Sequence, residues 1–129
     1  MGFQRDGQEI SPSALVKKMN GHLPHWMPRG FGLMVAWGFQ SPGARATWTD
    51  RRCREFTLGY SPRGEMEHLV GPRVGEWTVT TAGRGCGNAV LGPGLCLVYE
   101  LRRSDASMVV QALGLSRRLG DRIVRSIPL

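Results

Sequence analysis

The residues of this sequence that are best suited to chemistry are its arginines. A guanidinium group donates hydrogen bonds to phosphate oxygens and stacks on flat rings, so arginines beside aromatic residues suit phosphate contacts combined with base stacking. One group of arginines stands between Trp48 and Phe56, and a second group follows Leu115 near the end of the chain. The candidate anion-binding residues are Arg51, Arg52, Arg54, Arg118, Arg122 and Arg125.

The partner of these arginines stays open at the level of sequence. A net charge of +7 and a pI near 10.4 favour an anionic partner, which can be nucleic acid, an acidic protein surface or anionic lipid. Asp121 stands four residues after Arg117 and four before Arg125, so ion pairs within a helix can use part of the positive charge. A solvated basic surface without any partner is the plain alternative.

A catalytic thiol or a metal site would be a second kind of chemistry. Cys86 lies between glycines and close to Arg84, a setting that favours the thiolate, and His25 or His68 would be its basic partner. His22 and His25 have a spacing that can present two imidazoles to a metal, but a tetrahedral site needs ligands that no other short spacing supplies. We therefore predict no metal site, no cofactor and no assigned catalytic residue, and we favour a protein that is not an enzyme.

Three tryptophans provide a further alternative, a small-ligand pocket. Trp37, Trp48 and Trp77 fall in predicted strands and would line a cavity if the sheet curled into a half-open barrel. Burial in an ordinary core is the competing interpretation, because each tryptophan buries a large area. Combined with Cys86 or His25, such a pocket would make an enzyme or a ligand-binding protein.

The elements that must position these residues are a short helix, about five strands and a long final helix. Ser11 and Pro12 are typical of a helix start, and this helix is predicted to end at Met19. Turn-type connections of Pro and Gly favour an antiparallel sheet. The predicted strands cover Phe31 to Phe39 as a central strand, Ala46 to Asp50, Cys53 to Tyr60, Glu65 to Val70 as an edge strand, Glu76 to Thr81, and Leu95 to Leu101.

The last third of the chain predicts the long helix. From Ser104 or Asp105 to Ile127, apolar residues recur at steps of three or four and would form one stripe along a helix. The stripe consists of Met108, Ala112, Leu115, Leu119, Ile123 and Ile127. The predicted fold class is therefore α+β: an N-terminal helix, an antiparallel sheet of about five strands, and a long C-terminal amphipathic helix packed on that sheet.

Length and composition set the remaining bounds. With 129 residues and a hydrophobic fraction of 41%, the chain is predicted to form one domain over residues 11–129 after a polar lead-in over residues 1–10. No apolar run is long enough to span a membrane, and the N-terminus has no signal-peptide core, so we predict a cytoplasmic location. An odd count of three cysteines without a CxxC pair favours reduced thiols.

Three functional hypotheses from different classes follow. The first is a small basic binding protein that contacts nucleic acid, or else an acidic protein surface, through the six arginines. The second is a structural or assembly subunit of a homo-oligomer. The tryptophan pocket, with or without Cys86 or His25, is the third.

Overall fold

The computed structural model describes residues 7–40, 42–63, 71–81, 96–103 and 105–129. Most of these residues belong to one antiparallel sheet of eight strands, in the order β1-β2-β3-β4-β8-β7-β6-β5. The strands are β1 (Gly7–Glu9), β2 (Gly32–Phe39), β3 (Gly43–Thr49), β4 (Glu55–Ser61), β5 (Arg73–Val74), β6 (Trp77–Thr81), β7 (Cys96–Arg102) and β8 (Ser107–Leu113), and the helices are α1 (Pro12–Lys18) and α2 (Arg117–Arg125).

The predicted long C-terminal helix is wrong. Residues Ser107–Leu113 form β8, and the helix that follows covers Arg117–Arg125. Met108 and Ala112 are four residues apart, and a spacing of four puts two side chains on the same face of a strand and also on the same face of a helix. The β-branched pair between them favours the strand. The chain then turns at Gly114, whose φ of 72° is readily adopted by glycine.

The predicted fold class is also wrong as a whole, because the chain is mostly sheet. Eight strands replace about five, and both helices are short. One unforeseen strand is β1, which lies within the segment predicted as a lead-in and pairs with β2. Strand β2 is therefore next to an edge rather than central. The predicted edge strand Glu65 to Val70 lies outside the described residues.

The sheet consists of two four-stranded meanders that meet at one pair of strands. Strands β1 to β4 follow each other in one half, and β5 to β8 follow each other in the other half. The halves join where β4 pairs with β8, from Glu55 opposite Leu113 to Ser61 opposite Ser107. Within the described chain, β1 and β5 are the two edges, so the ladder is open.

One face of the sheet forms the core. A row of apolar side chains, each at most 3% exposed, crosses it from β2 to β6: Ala36, Ala46, Leu58, Val110, Tyr99 and Val79. Helix α1 adds Leu15 to the same cluster, and α2 adds Ile123 and Val124. In β7 Tyr99 is buried on the core face, and Glu100 on the opposite face is buried as well.

Both helices begin at a serine cap. The Oγ of Ser11 accepts a hydrogen bond from the backbone N–H of Ala14 at 3.2 Å, and Pro12 occupies the first turn, as the sequence predicts. The Oγ of Ser116 accepts from the N–H of Leu119 at 3.3 Å in the same way. Each helix start is therefore encoded locally, even where the length of the element is not.

Candidate anion-binding surface

The turn between β3 and β4 carries three of the predicted arginines, and Asp50 fixes its shape. Oδ1 of Asp50 accepts hydrogen bonds from the backbone N–H groups of Arg52 and Arg54, both at 3.0 Å. Oδ2 accepts from Nε of Arg54 at 2.7 Å, and the Asp50 side chain is only 5% exposed. Arg51 and Arg52 are exposed. The carboxylate therefore faces inward while two guanidinium groups remain at the surface.

The electrostatics of Asp50 keep this arrangement in place at neutral pH. Burial alone would raise the pKa of Asp50, but the hydrogen bonds and charge of Arg54, together with the N–H of Arg52, outweigh burial. The pKa of Asp50 therefore lies below its usual value of 3.8. Its charge is balanced by Arg54, so the turn as a whole stays positive.

The sheet register puts this turn beside the start of α2. Glu55, which follows the turn, pairs with Leu113 at the end of β8. A Cβ added to Gly114 would lie 3.2 Å from Cγ of Arg54, so the two turns touch. Helix α2 starts at Arg117 and has no acidic residue in its first turn. The turn that carries the first arginine group thus lies beside the Gly114 turn, which leads into α2.

The other three predicted arginines share one side of α2. Arg118, Arg122 and Arg125 are separated by steps of four and three, which place them on one helix face, and all three are exposed. We call these residues, together with those of the turn, the arginine surface: Arg51, Arg52, Arg54, Arg118, Arg122 and Arg125.

Within the described residues, Asp121 forms no ion pair with the six arginines of the arginine surface. Its Oδ1 accepts from Nε of Arg117 at 2.8 Å and from the hydroxyl of Tyr99 at 2.7 Å. The sequence also allowed a pair between Asp121 and Arg125, but among the described residues no ion pair involves Arg125. Asp121 therefore binds Tyr99 of the sheet and Arg117 of its own helix. The positive charge of Arg125 stays exposed at the surface.

Two arginines of the surface lie over aromatic rings. Cζ of Arg122 is 4.0 Å from the ring centroid of Trp26, and Cζ of Arg54 is 5.3 Å from that of Phe31. Both rings are partly buried and pack against the core. Trp26 is held by Ser126, whose Oγ accepts from the Trp26 N–H at 3.1 Å. Exposed Arg29 lies between the two rings in sequence.

Sequence reasoning missed Trp26 and Phe31 as members of this site. The only local signal was an aromatic residue among prolines and glycines from Gly21 to Gly30, which indicates an ordered loop. The contact itself depends on a partner 100 residues away, because Ser126 holds Trp26. No periodicity or spacing carries that information.

The three tryptophans of the predicted pocket do not converge. Trp37 pairs with Arg45 in the sheet, on the face opposite to buried Ala36. Trp48 lies on the core side, where its ring meets Phe56 edge-on at 6.0 Å. Trp77 is 2% exposed in β6, four strands away from β3. They contribute to different parts of the packing rather than to one cavity.

A small open cavity of about 220 Å³ lies elsewhere on the sheet. Gly59, which has no side chain, leaves this space between Arg45 on β3 and Val109 on β8. The remaining lining residues are Phe39, Ala44, Tyr60 and Ser61. No tryptophan, histidine or cysteine lines it, so it does not provide the predicted pocket.

The histidines and cysteines have structural surroundings. Nδ1 of His22 lies 2.7 Å from the carbonyl oxygen of Pro128, and the backbone N–H of His25 bonds to Ser126. Cys53 is a free, exposed thiol, whereas Cys96 is disulfide-bonded, so the prediction of reduced thiols is wrong for Cys96. Cys86 and His68 lie outside the described residues. Over the described ranges no cluster of three or more His, Cys, Asp or Glu side chains could hold a metal ion.

Comparisons with known proteins do not identify a relative of this chain. A scan against protein families, a search of curated proteins and a search of solved structures each find no match. Neither α1 nor α2, the helices of the described chain, is long and apolar enough to cross a membrane.

Proposed function

We propose that this chain is a small, basic, non-enzymatic binding protein whose arginine surface contacts nucleic acid. The observation that carries the proposal is the contact between Arg54 and Gly114, which sets the arginine turn beside the start of α2. The turn of one arginine group therefore lies close to the start of the helix that carries the other group. Convergent guanidinium groups are the means by which proteins hold a phosphate backbone.

The charge balance of the region supports the same partner. The two aspartates nearest to the arginines, Asp50 and Asp121, each form an ion pair with a single arginine. The remaining guanidinium groups face solvent without a carboxylate within ion-pair distance in the described chain. Phosphates would displace water from these groups and release counterions from the nucleic acid, which is the main driving force of such binding.

A homo-oligomer is the second candidate, and the sheet edges favour it. In the described residues β1 and β5 each pair on one side alone, and such edges can pair with a second copy of the chain. A light-scattering mass well above the 14.2 kDa of one chain would support this role. An acidic protein partner on the arginine surface would be detected by its competition with nucleic acid.

The cytoplasmic location stays a prediction. A nucleic-acid partner is compatible with it, but the disulfide of Cys96 is typical of an oxidising compartment. Fractionation of cells that express the chain, with thiol trapping during lysis, would decide between the two.

The experiment that tests the proposed function is fluorescence anisotropy with labelled single-stranded DNA, duplex DNA and RNA across a salt series. We expect log affinity to fall linearly with log salt, with a slope that reports the number of phosphates contacted. Arg118→Glu should weaken binding about tenfold at low salt. Arg73→Glu makes the same charge change on edge strand β5 and should leave affinity within about twofold.

Two outcomes would overturn the proposal. The first is the absence of binding to all three nucleic acids at low salt, where phosphate contacts are strongest. The second is equal loss of affinity for Arg118→Glu and Arg73→Glu, because the net charge of the chain, rather than the arginine surface, would then be responsible.

A further inference from the structure

We propose that the nucleic acid held by the arginine surface is single-stranded, and that unpaired bases stack on the guanidinium planes of Arg122 and Arg54. This inference rests on the proposed function and names its ligand more closely. Its starting point is that both arginines lie over aromatic rings, at 4.0 Å for Trp26 and 5.3 Å for Phe31.

Each stack presents a flat cation in a fixed position. Each ring packs against the core and Cζ of the arginine lies over it, so the arginine forms the outer layer. Arg122 is exposed, and the Arg54 side chain is 24% exposed. A base can therefore reach the outer plane, where guanidinium groups stack on bases without regard to sequence.

The two arginines are also held before any ligand arrives. Asp50 holds Nε of Arg54 at 2.7 Å, and Ser126 holds the backbone of Trp26 at 3.1 Å beneath Arg122. A long side chain that is already ordered loses less entropy on binding than a free one.

Stacking discriminates between strand types. In a duplex the faces of the bases are covered by their neighbours, so a flat cation meets only the backbone and the groove edges. In a single strand each base offers a free face. The four arginines of this surface that do not lie over a ring are exposed and would contact the phosphates between bases: Arg51, Arg52, Arg118 and Arg125.

The decisive variants exchange arginine for lysine, which keeps the charge but removes the plane. Arg122→Lys should weaken single-stranded DNA binding about fivefold or more while the salt slope stays unchanged. Arg118→Lys is the matched comparison on the same helix face, one turn away, and should weaken binding less than Arg122→Lys, because lysine keeps the charge that a phosphate contact needs. Wild-type protein should also prefer a single strand to a duplex of equal length, and Arg122→Lys should reduce that preference.

A second variant removes the ring and leaves the charge. Trp26→Leu keeps an apolar side chain against the core, and we expect the same selective loss of single-stranded affinity as for Arg122→Lys. Circular dichroism and a melting curve show whether this variant folds. If it does not, the two lysine variants decide the question, because both lie on an exposed helix face.

The outcomes separate this inference from the proposed function. If wild type binds but Arg122→Lys and Arg118→Lys behave alike, stacking is overturned and phosphate contact remains. Tighter binding of duplex than of single strand also overturns the stacking proposal alone. If wild type binds no nucleic acid at low salt, both proposals are overturned together.

Discussion

The hydroxyl of Tyr99 donates a hydrogen bond of 2.7 Å to Oδ1 of Asp121, and this bond ties the middle of β7 to helix α2. The same oxygen accepts from Nε of Arg117 at 2.8 Å. Tyr99 is fully buried, so the phenol sets the orientation of α2 on the sheet. Since α2 carries half of the arginine surface, the bond also positions Arg118 and Arg122.

Removing this hydroxyl should destabilise the fold. We expect Tyr99→Phe to lower the free energy of unfolding by about 1–2 kcal/mol, because a hydrogen bond to a charged acceptor is lost. Urea unfolding measures the change. Tyr60→Phe is the matched control: the Tyr60 hydroxyl accepts from Nδ2 of Asn20 at 2.9 Å, a neutral pair, and its loss should have a smaller effect. Equal losses for the two variants would contradict the role given to Asp121.

Tyr99 should also make stability fall at alkaline pH. Burial raises the pKa of Tyr99, and the hydrogen bond and charge of Asp121 raise it further, well above the usual value of 10.0. Above pH 10 the unfolded chain therefore releases a proton that the folded chain retains. The stability that Tyr99 contributes is fully present below that pH and is lost as pH rises.

The measurement for this pH dependence is urea unfolding from pH 9 to pH 11.5. Wild type should lose stability faster than Tyr99→Phe, by up to about 1.4 kcal/mol for each pH unit above 10. The two curves should therefore converge as pH rises. Parallel curves would show that Tyr99 ionises in the folded protein as it does in water.

Gly120 should tolerate no side chain, even though it lies in a helix. A Cβ at this position would overlap the hydroxyl of Tyr99 and approach Leu97 Cδ1 to 3.3 Å. Alanine has the better helix propensity by about 1 kcal/mol, but we expect Gly120→Ala to destabilise by about 1–3 kcal/mol through this overlap. Thermal unfolding checks the sign. Adding Tyr99→Phe should recover part of the loss, and a double variant less stable than both single variants would argue against the overlap.

Asp50 should support both stability and binding. We expect Asp50→Asn to lower the free energy of unfolding by about 1–2 kcal/mol at pH 7, because the ion pair with Arg54 is lost. The pKa of Asp50 is lowered in the folded state, so its contribution is present above pH 3.8 and disappears as pH falls through the folded value. Urea unfolding from pH 6 to pH 2 should show the variant and wild type converging in acid.

The binding measurement on Asp50→Asn separates charge from geometry. The variant loses one negative charge, so the net charge of the chain rises by one. This change by itself would strengthen binding to nucleic acid at low salt. Loss of the turn geometry would weaken it. We expect weaker binding, because the ion pair holds Arg54 over Phe31. Stronger binding with an unchanged preference for single strands would show that the order of this turn is unimportant.

Local patterns predicted the elements whose information is local. The cap at Ser11 and the alternation in β4, where Phe56, Leu58 and Tyr60 face the core, are properties of neighbouring residues, and both are found in the structure. The prediction of a helix over β8 was wrong because a step of four residues fits both the helix period and the strand period. Choosing between them required knowing that β4 and β7 leave a place for a strand between them.

The candidate site was predictable in composition but not in arrangement. Runs such as Arg51 and Arg52 are visible in the sequence, yet their position beside α2 depends on the pairing of Glu55 with Leu113. The stack of Arg122 on Trp26 depends on a loop that returns to the end of α2. Contacts between residues this distant in sequence leave no periodic trace in a single chain.

The junction of β4 with β8 has a consequence for assembly. Each meander pairs strands that are consecutive in sequence, whereas the seven residue pairs of this junction join segments that are distant in sequence, and we expect them to form late in folding. A chain cut between Ser61 and Arg73 would yield two fragments of four strands each, with one helix apiece. The first fragment carries Arg51 and Arg52 and the second carries α2, so reassociation of the two fragments would bring both parts of the arginine surface back into one molecule.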